Sequence, residues 1–457
     1  MASTHIESPT MANPPTGASK KGTWSFWMKR TGLGGSRILN TNENSNNEFL
    51  LSFKTDDTMQ IYQIAGGSNQ YQYRTNRKFR DVNSWYHIVL AIDTTLGTAG
   101  DRVKLYVNGV QETSFQTTTN NMPQNHSFHG LYGGIKQNIG RDVDHGSEFF
   151  DGVLSYFAFI DGTQELPTIF GSTDATTGEW KIKTTITPSS AWGTNGYLIL
   201  KDGNSLTDQS TNSNNFSSVA GTLTKTEDCP SNVFCTWNPL AKGDLNNNAT
   251  LSNGNTYYSS DQSGYNIRAG TIGASKGKFY WEGKFVSHNP QTSPGMPLGI
   301  IADNVPIGTN IAGGQAPYYY SYTYDGSNGS VVYNSTGTNY GTTILDTIGQ
   351  IGMVALDLDN NKVYFGVNGT WTNSANPSSG TGGYSIIDPA DTPLGFYLPA
   401  VSDRSSIREY VYAWNFGNGY FGTTAVSSAG ANASGNGIFE YDVPNGFTAL
   451  STKGLNL

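Results

Sequence analysis

Two stretches of this chain carry tyrosine at a density that suits recognition of a partner. Residues 315–324 read Gln-Ala-Pro-Tyr-Tyr-Tyr-Ser-Tyr-Thr-Tyr, and residues 70–74 read Gln-Tyr-Gln-Tyr-Arg. A tyrosine offers a flat apolar face and a hydroxyl group at low cost in conformational entropy, which suits sugar rings and protein surfaces alike. The candidate ligand-binding residues are Tyr71, Tyr73, Tyr318, Tyr319, Tyr320, Tyr322 and Tyr324.

The alternative is that both stretches are ordinary strands whose tyrosines lie between core and solvent. For residues 318–324 the sequence leaves both interpretations open. For Tyr71 and Tyr73 the strand interpretation is preferred.

Motifs that carry catalysis or hold a transition metal are missing from the sequence. Neither Gly-x-Ser-x-Gly, His-Glu-x-x-His nor a phosphate-binding loop occurs. His126 and His129 are close together, but no cysteine or carboxylate cluster adjoins them, so we interpret both as surface histidines. We therefore expect a protein that is not an enzyme.

The composition is typical of an all-β protein with many turns. The chain contains 55 glycines, only 14% charged residues and 12% aromatic residues, with β-branched residues throughout, which argues against disorder. A net charge of −8 without runs of lysine or arginine argues against a nucleic-acid partner.

No stretch of 18 apolar residues predicts a membrane-spanning helix, and the N-terminus does not resemble a signal peptide. We expect synthesis in a reducing cytoplasm, with Cys229 and Cys235 as free thiols, although a short-range disulfide stays open.

Two hairpins of one design organise the chain. In residues 351–371 an apolar strand, an acidic turn and an alternating strand lead to Asn-Gly, and residues 85–110 repeat this order. Strands recur elsewhere with turns between them, which predicts sandwiches of antiparallel sheets. We assign residues 1–165 to a first sandwich, residues 166–245 to a structured polar bridge with short strands, and residues 246–457 to a second sandwich. Within the bridge, a strand at 196–200 is expected to close the first sandwich.

Short motifs in the first domain follow a recognisable order: Trp-Ser-Phe-Trp, Trp-Tyr-His-Ile-Val, Lys-Leu-Tyr-Val-Asn-Gly, Ile-Gly and Phe-Asp-Gly-Val-Leu-Ser-Tyr-Phe. This order, over about residues 15–165, resembles the laminin-G/pentraxin branch of the concanavalin A-like jelly rolls. Over about residues 270–417, Gly-Lys-Phe-Tyr-Trp-Glu, Leu-Gly-Ile, the 351–371 hairpin and Leu-Pro-Ala resemble the SPRY family, a further concanavalin A-like sandwich. The resemblances imply an all-β protein with two concanavalin A-like jelly-roll β-sandwiches in tandem. SPRY domains bind partners through variable loops and have no catalytic residues, so no site is carried over from them.

The resemblance to pentraxins implies a calcium site in the first domain. Pentraxin-like domains bind calcium with an acidic pair in an early hairpin turn and with acids that follow a later Ile/Leu-Gly strand. These positions hold Asp56, Asp57, Asp142 and Asp144. Carboxylate oxygens from flexible loops suit Ca²⁺. The alternative is that the acids only shape turns or are neutralised by Arg141. No other cofactor is expected.

Because the concanavalin A-like fold also hosts glycoside hydrolases, their acid pair has to be sought. On this fold the pair comes from one strand as Glu-x-Asp-x-x-Glu or a close variant. The nearest match is Glu440-Tyr-Asp442, but Asn445 stands where the third acid belongs, and Pro444 interrupts the strand. The pattern argues against hydrolysis.

The whole architecture, which ends in Pro-x-Gly-Phe-x-Ala-Leu at 444–450, resembles virion surface proteins of tailed bacteriophages. That resemblance implies a non-enzymatic tail fibre, capsid fibre or decoration protein, homo-oligomeric and in many cases trimeric. It would contact other virion proteins and display loops toward a host surface glycan or envelope protein. Two alternatives stay open, a purely structural cement protein of the virion and a polysaccharide depolymerase.

Overall fold

The computed structural model describes residues 4–12, 20–119, 121–142, 148–203, 205–242, 249–260, 267–289, 298–304, 318–325, 328–341, 345–402 and 409–456. Their regular structure consists of β-strands and short 3-10 helices, so the predicted all-β class is confirmed. The chain divides into two compact units, Met1–Lys225 and Thr226–Leu457. No helix in the described ranges is long and apolar enough to cross a membrane.

The strands of the first unit are β1 (His5–Glu7), β2 (Lys21–Arg30), β3 (Ser36–Asn44), β4 (Asn47–Phe53), β5 (Thr58–Ala65), β6 (Ser68–Lys78), β7 (Tyr86–Asp93), β8 (Val103–Val107), β9 (Val110–Glu112), β10 (Phe115–Thr119), β11 (Gln137–Ile139), β12 (Gly152–Asp161), β13 (Gly171–Thr173), β14 (Trp180–Ile182), β15 (Tyr197–Ile199) and β16 (Ser217–Ala220). Its 3-10 helices are Ala99–Asp101, His129–Leu131 and Pro167–Ile169.

These strands form an eight-stranded sheet in the order β10-β6-β5-β4-β3-β11-β1-β16 and a six-stranded sheet in the order β15-β12-β2-β7-β8-β9. Apolar side chains from both sheets form one core, which includes Trp24, Phe26, Leu51, Ile61 and Leu90. Each sheet turns every second side chain to its other face.

The outward face of the six-stranded sheet is apolar as well. Val89, Ala91 and Ile160 cluster there with Phe170 and Trp192, which come from the chain that follows β12. A strand with apolar residues on both faces needs cover on both sides, and the segment after β12 supplies the second cover. Within residues 166–245, predicted as a bridge, β15 and β16 join the sheets of the first unit.

The strands of the second unit are β17 (Trp237–Lys242), β18 (Thr250–Ser252), β19 (Tyr257–Ser259), β20 (Ile267–Gly270), β21 (Lys278–Asn289), β22 (Leu298–Ile301), β23 (Tyr319–Asp325), β24 (Asn328–Tyr333), β25 (Thr336–Asn339), β26 (Ile351–Asp357), β27 (Lys362–Val367), β28 (Thr370–Trp371), β29 (Tyr384–Ser385), β30 (Leu398–Ser402), β31 (Glu409–Asn415), β32 (Tyr420–Phe421), β33 (Thr424–Ala425) and β34 (Thr448–Ala449). Its 3-10 helices are Thr372–Ser374, Pro377–Ser379, Pro389–Asp391 and Gly454–Asn456.

A seven-stranded sheet, β17-β20-β30-β22-β23-β24-β25, and a nine-stranded sheet built on β18-β19-β31-β21-β26-β27-β28 carry the second core. Trp281, Val354, Phe365, Tyr412 and Trp414 belong to it. Strands β29 and β34 extend the nine-stranded sheet by pairing with β27 and β21.

Both predicted hairpins are present, and each is followed by an Asn-Gly turn with the expected backbone, which joins β8 to β9 in the first unit and β27 to β28 in the second. Strands β7 and β8 pair antiparallel in the first unit, and β26 pairs with β27 in the second. The φ angles are 49° and 78° at Asn108-Gly109 and 47° and 80° at Asn368-Gly369. Positive φ at both central positions is the requirement of a type I′ turn, which asparagine and glycine tolerate best.

The C-terminal segment covers the outward face of the nine-stranded sheet. Phe439 and Phe447 pack there on Tyr280 and Met353. Glu282 lies on the same face of β21 and is fully buried. Its carboxylate accepts hydrogen bonds from the backbone N–H groups of Glu440 (2.9 Å) and Tyr441 (2.8 Å) and from the hydroxyl of Tyr280 (2.9 Å). This carboxylate therefore anchors the covering segment.

Glu282 should make the stability of the second unit depend on pH. Burial raises its pKa to about 7, and the hydrogen bonds offset this only in part. Because the folded-state pKa lies above the unfolded value, the stabilising contribution is complete below about pH 4.5 and is lost as the pH rises through about 7. We expect the free energy of unfolding to fall over that interval, and E282Q, which stays neutral, to show a flatter profile.

Urea denaturation at a series of pH values measures this dependence. The exposed carboxylate of Asp391 provides the matched control, since D391N should retain the wild-type profile. An E282Q profile as steep as the wild type would contradict the assignment.

Candidate functional site

The tyrosines of residues 319–322 lie in a central strand and not in a loop. Strand β23 pairs with β22 on one side and β24 on the other. Tyr320 and Tyr322 face the core and are 2% and 1% exposed. Tyr319 faces the opposite side of the sheet, where it is fully buried and its hydroxyl donates to Ser402 Oγ at 3.1 Å. Both faces of this sheet are packed, which leaves these three rings no free face for a partner.

The first and last members of that tyrosine stretch differ from the buried three. Tyr318 is half-buried, with a φ of 57° at the start of β23. The side chain of Tyr324 lies outside the described residues.

Tyr71 and Tyr73 are core residues of the first unit, in line with the preferred interpretation. Both lie on the inward face of β6. The Tyr71 hydroxyl donates to Gln63 Oε1 at 3.0 Å, and the Tyr73 hydroxyl accepts from the Met122 N–H at 3.0 Å. Burial raises the pKa of Tyr71 well above its ordinary value, so its hydroxyl stays protonated.

A group of tyrosines in the second unit does reach the surface. Tyr320 stacks on Tyr333 with ring centroids 4.4 Å apart and an interplanar angle of 8°. Tyr384 and Tyr397 each lie 6.2 Å from Tyr320. Tyr333 and Tyr384 are half-buried, whereas Tyr320 and Tyr397 are buried. We call these four residues the tyrosine platform.

The tyrosine platform is rigid because its buried hydroxyls have fixed partners. The Tyr397 hydroxyl donates to the Ile387 carbonyl at 2.9 Å, and the Ile387 N–H donates to the Tyr320 hydroxyl at 3.2 Å. Burial raises the pKa of Tyr320 to about 12 and raises that of Tyr397 further. Tyr320 and Tyr397 are therefore uncharged at neutral pH. Sequence reasoning missed Tyr333 and Tyr384, although the β23–β24 register places Tyr333 opposite Tyr320.

The first acidic pair of the predicted calcium site is bound to arginines. Asp57 Oδ1 lies 3.1 Å from Arg30 Nη1 and Asp57 Oδ2 lies 2.8 Å from Arg80 Nε. Asp56 is paired with Arg74 at 2.8 Å and accepts from the Thr58 hydroxyl at 2.7 Å. Burial favours a higher pKa for Asp57, but its hydrogen bonds outweigh this effect and hold the pKa below its ordinary value.

The later acids are held separately. Asp142 is fully buried, with its Oδ2 atom 3.3 Å from Arg37 Nε. Arg141, which the sequence suggested as a neutralising residue, contacts the Asp142 carbonyl and His5. Asp144 lies outside the described residues. Within the described ranges, no group of three His, Cys, Asp or Glu side chains could hold a metal ion.

The interpretation of His126 and His129 as surface residues is wrong for His129, which is 2% exposed. Gln63 connects the two histidines. Its Nε2 lies 3.0 Å from His126 Nε2, and its Oε1 accepts a hydrogen bond from the backbone N–H of His129 at 3.0 Å. Both histidines thus belong to the polar lining of the first core.

One serine–histidine pair has the spacing of a catalytic dyad but not its tautomer. Ser25 Oγ lies 2.9 Å from His87 Nε2, and the Trp180 indole N–H donates to His87 Nδ1 at 3.0 Å. Nδ1 therefore accepts, and Nε2 carries the proton that it donates to Ser25. Burial lowers the pKa of His87 to about 3. A general base needs the opposite arrangement, with a free lone pair toward the serine.

The acids of the weak hydrolase pattern hold a loop in place. Glu440 accepts from the N–H of Ser427 at 2.8 Å and also from its hydroxyl. Asp442 accepts from the Ala431 N–H at 2.6 Å. No disulfide joins Cys229 to Cys235.

Comparison with known proteins supports the predicted laminin-G-like assignment of the first sandwich. Residues 2–169 match the family model described as the concanavalin A-like lectin/glucanases superfamily, laminin-G type. This match covers the first predicted sandwich, and the concanavalin A-like identity of the second stays a prediction. No curated protein matches the chain.

Parts of the chain are similar to solved structures at low TM-scores. The SPRY domain of human HERC1 is 17% identical, with 39% of this chain and 96% of that chain covered and a TM-score of 0.29. The native heptameric SAP-like pentraxin from Limulus polyphemus is 17% identical, with 49% of this chain and 91% of that chain covered and a TM-score of 0.29.

Removal of Arg30 should destabilise the first unit strongly. Arg30 and Asp57 are both buried, and an unpaired buried charge costs about 3–5 kcal/mol. Because Arg80 still pairs with Asp57, we expect R30M to cost an amount near the lower end of that range. The pair of Arg74 and Asp56 is more exposed, so R74A should cost no more than about 1 kcal/mol. Urea denaturation of R30M and R74A measures both values, and equal losses would refute the distinction.

The calcium site implied by the resemblance to pentraxins can be tested directly by thermal unfolding. Because Asp57 and Asp142 already face arginines, we expect millimolar Ca²⁺ to leave the unfolding temperature unchanged. A ligand that binds the folded state raises stability with its concentration. A rise with Ca²⁺ that is absent with Mg²⁺ and lost in D57N would establish the site.

Proposed function

We propose that this chain is a non-enzymatic binding protein whose sandwiches present surfaces to carbohydrate or protein partners. The tyrosine platform carries the proposal. Tyr333 is held on one face by Tyr320 and reaches solvent, so a partner meets a pre-ordered ring. Pre-order reduces the entropy lost on binding. The match of residues 2–169 to a lectin-type family model supports carbohydrate as one partner class.

The described candidates for catalysis all have structural explanations, which supports the non-enzymatic part of the proposal. His87 faces Ser25 with a protonated nitrogen. Glu440 and Asp442 bind the backbone of the loop beside them. A retaining glycosidase needs two carboxyl groups about 5–5.5 Å apart and open to substrate, and these acids are engaged elsewhere.

The proposed setting is the surface of a tailed-bacteriophage particle, as a homo-oligomeric fibre or decoration protein. The resemblance of the whole architecture, with its C-terminal Pro-x-Gly-Phe-x-Ala-Leu, supports this setting. A cryo-EM map of the particle that carries the chain tests it. Tyrosines of the platform that face outward would favour host attachment. Burial of the platform between subunits would favour structural cement, the alternative role.

Binding by the tyrosine platform is testable with an array of bacterial surface glycans. We expect Y333A/Y384A to raise the dissociation constant of any bound glycan at least tenfold, because the exposed part of the platform is removed. Tyr420 is also half-buried in the second unit, and Y420A serves as the control. Unchanged binding by Y333A/Y384A would overturn the assignment, and release of reducing ends from a bound glycan would overturn the non-enzymatic proposal.

A further inference from the structure

Strand β25 forms one edge of the seven-stranded sheet in the second unit. Within the described part of the chain its one neighbour in the sheet is β24. Thr336, Gly337, Thr338 and Asn339, which make up the strand, are all exposed. Both faces of β25 therefore meet solvent, and a partner can approach the strand from its open side.

Two residues of this edge turn their backbone groups away from the sheet. The turn at Asn334-Ser335 has positive φ at both positions and joins the opposite residues Tyr333 and Thr336. In such a two-residue hairpin the closing pair exchanges both backbone hydrogen bonds, and bonded pairs then alternate with non-bonded pairs. Gly337 and Asn339 occupy the non-bonded positions, so their N–H and C=O groups point outward. No described backbone group outside β24 binds them.

The edge also lacks the features that keep exposed strands from pairing. Charged side chains, prolines and bulges protect sheet edges in folded proteins. β25 contains no charged residue and no proline, and its register with β24 is regular. At the other edge of the same sheet, β17 contains Pro239 and pairs irregularly with β20. An unprotected edge is a template for one more strand.

The segment around this edge carries nearly all of the net charge of the chain. Between Lys284 and Arg404 the sequence contains eight aspartates but only one lysine or arginine, Lys362, which gives −7 of the total net charge of −8. This segment supplies strands β22 to β30. Asp357 is paired with Lys278 at 3.0 Å, and none of the other described aspartates in the segment has an ion pair with a described residue.

This charge decides which kind of strand suits the edge. A second copy of the chain would bring two strongly negative segments together, and like charges across an interface oppose association. A positively charged strand is attracted instead. Thr336 and Thr338 are small and uncharged, so they oppose neither its approach nor its long side chains.

We propose that β25 is a docking edge for an extended, lysine- or arginine-rich segment of a partner protein. The segment pairs antiparallel with β25 through the outward N–H and C=O groups of Gly337 and Asn339. Its cationic side chains lie in the negative field of residues 285–403. This docking edge rests on the protein-binding part of the proposed function, and it binds through backbone groups, unlike the rings of the tyrosine platform.

The test uses the full chain and a synthetic peptide of alternating lysine and threonine, with a peptide of alternating glutamate and threonine as its control. G337P removes an outward N–H that takes no part in the pairing with β24, whereas the matched variant G337A retains it. By titration calorimetry we expect the lysine peptide to bind and the glutamate peptide not to bind. The dissociation constant of the lysine peptide should be about tenfold higher for G337P than for G337A.

Substitutions of the exposed Thr338 provide a second readout that leaves the backbone of the strand unchanged. T338K adds a cation to the edge and should weaken binding of the lysine peptide, whereas T338E should strengthen it. If G337P lowers the unfolding temperature, these opposite effects decide the outcome in its place.

Failure of the lysine peptide to bind would overturn the docking edge. Equal affinity of G337P and G337A, both folded, would also overturn it, because attraction by charge alone needs no outward N–H. A dimer of the chain that G337P abolishes would identify a second copy as the occupant instead. Each of these results leaves the glycan titrations of Y333A/Y384A to decide the role of the tyrosine platform separately.

Discussion

A β-strand turns every second side chain to the opposite face of its sheet, and this alternation governs both units. Strands β7 and β21 are apolar on both faces. One face of each lies on a sandwich core, so the other requires separate cover. In the first unit the chain after β12 covers it through Phe170 and Trp192, and in the second the C-terminal segment does so through Phe439 and Phe447. These segments are therefore structural layers.

The same alternation explains which sequence predictions succeeded. Hairpins are local, and the pattern of an apolar strand, an acidic turn and an alternating strand predicted both pairs of strands. A separate apolar run predicted the strand at 196–200. The tyrosine stretch has a local pattern too, but its environment is not local. Whether Tyr319 meets solvent depends on what packs on the outward face of the seven-stranded sheet, and that cannot be read from residues 315–324.

The acidic residues show that a local sequence pattern also fails to predict which charges pair. Asp57 is paired with Arg30, which is 27 positions away, and Asp142 is paired with Arg37. A motif shows that acids are present but not which cations the fold brings to them. Similarly, the indole of Trp180, distant in sequence, sets the tautomer of His87. The outward backbone groups of Gly337 and Asn339 became visible only through the register of β24 and β25.

The anchor of the second unit also bears on the order in which the chain folds during synthesis. Glu282 lies on a central strand, yet the two N–H groups that it holds belong to Glu440 and Tyr441, 158 and 159 positions later. Domains form as units while the chain emerges from the ribosome. The first unit has all of its strands once Ala220 has emerged, whereas β21 must wait for almost the entire remainder of the second unit. During that interval Tyr280 and Met353 lack this cover, so we expect nascent chains to expose apolar surface until late in translation.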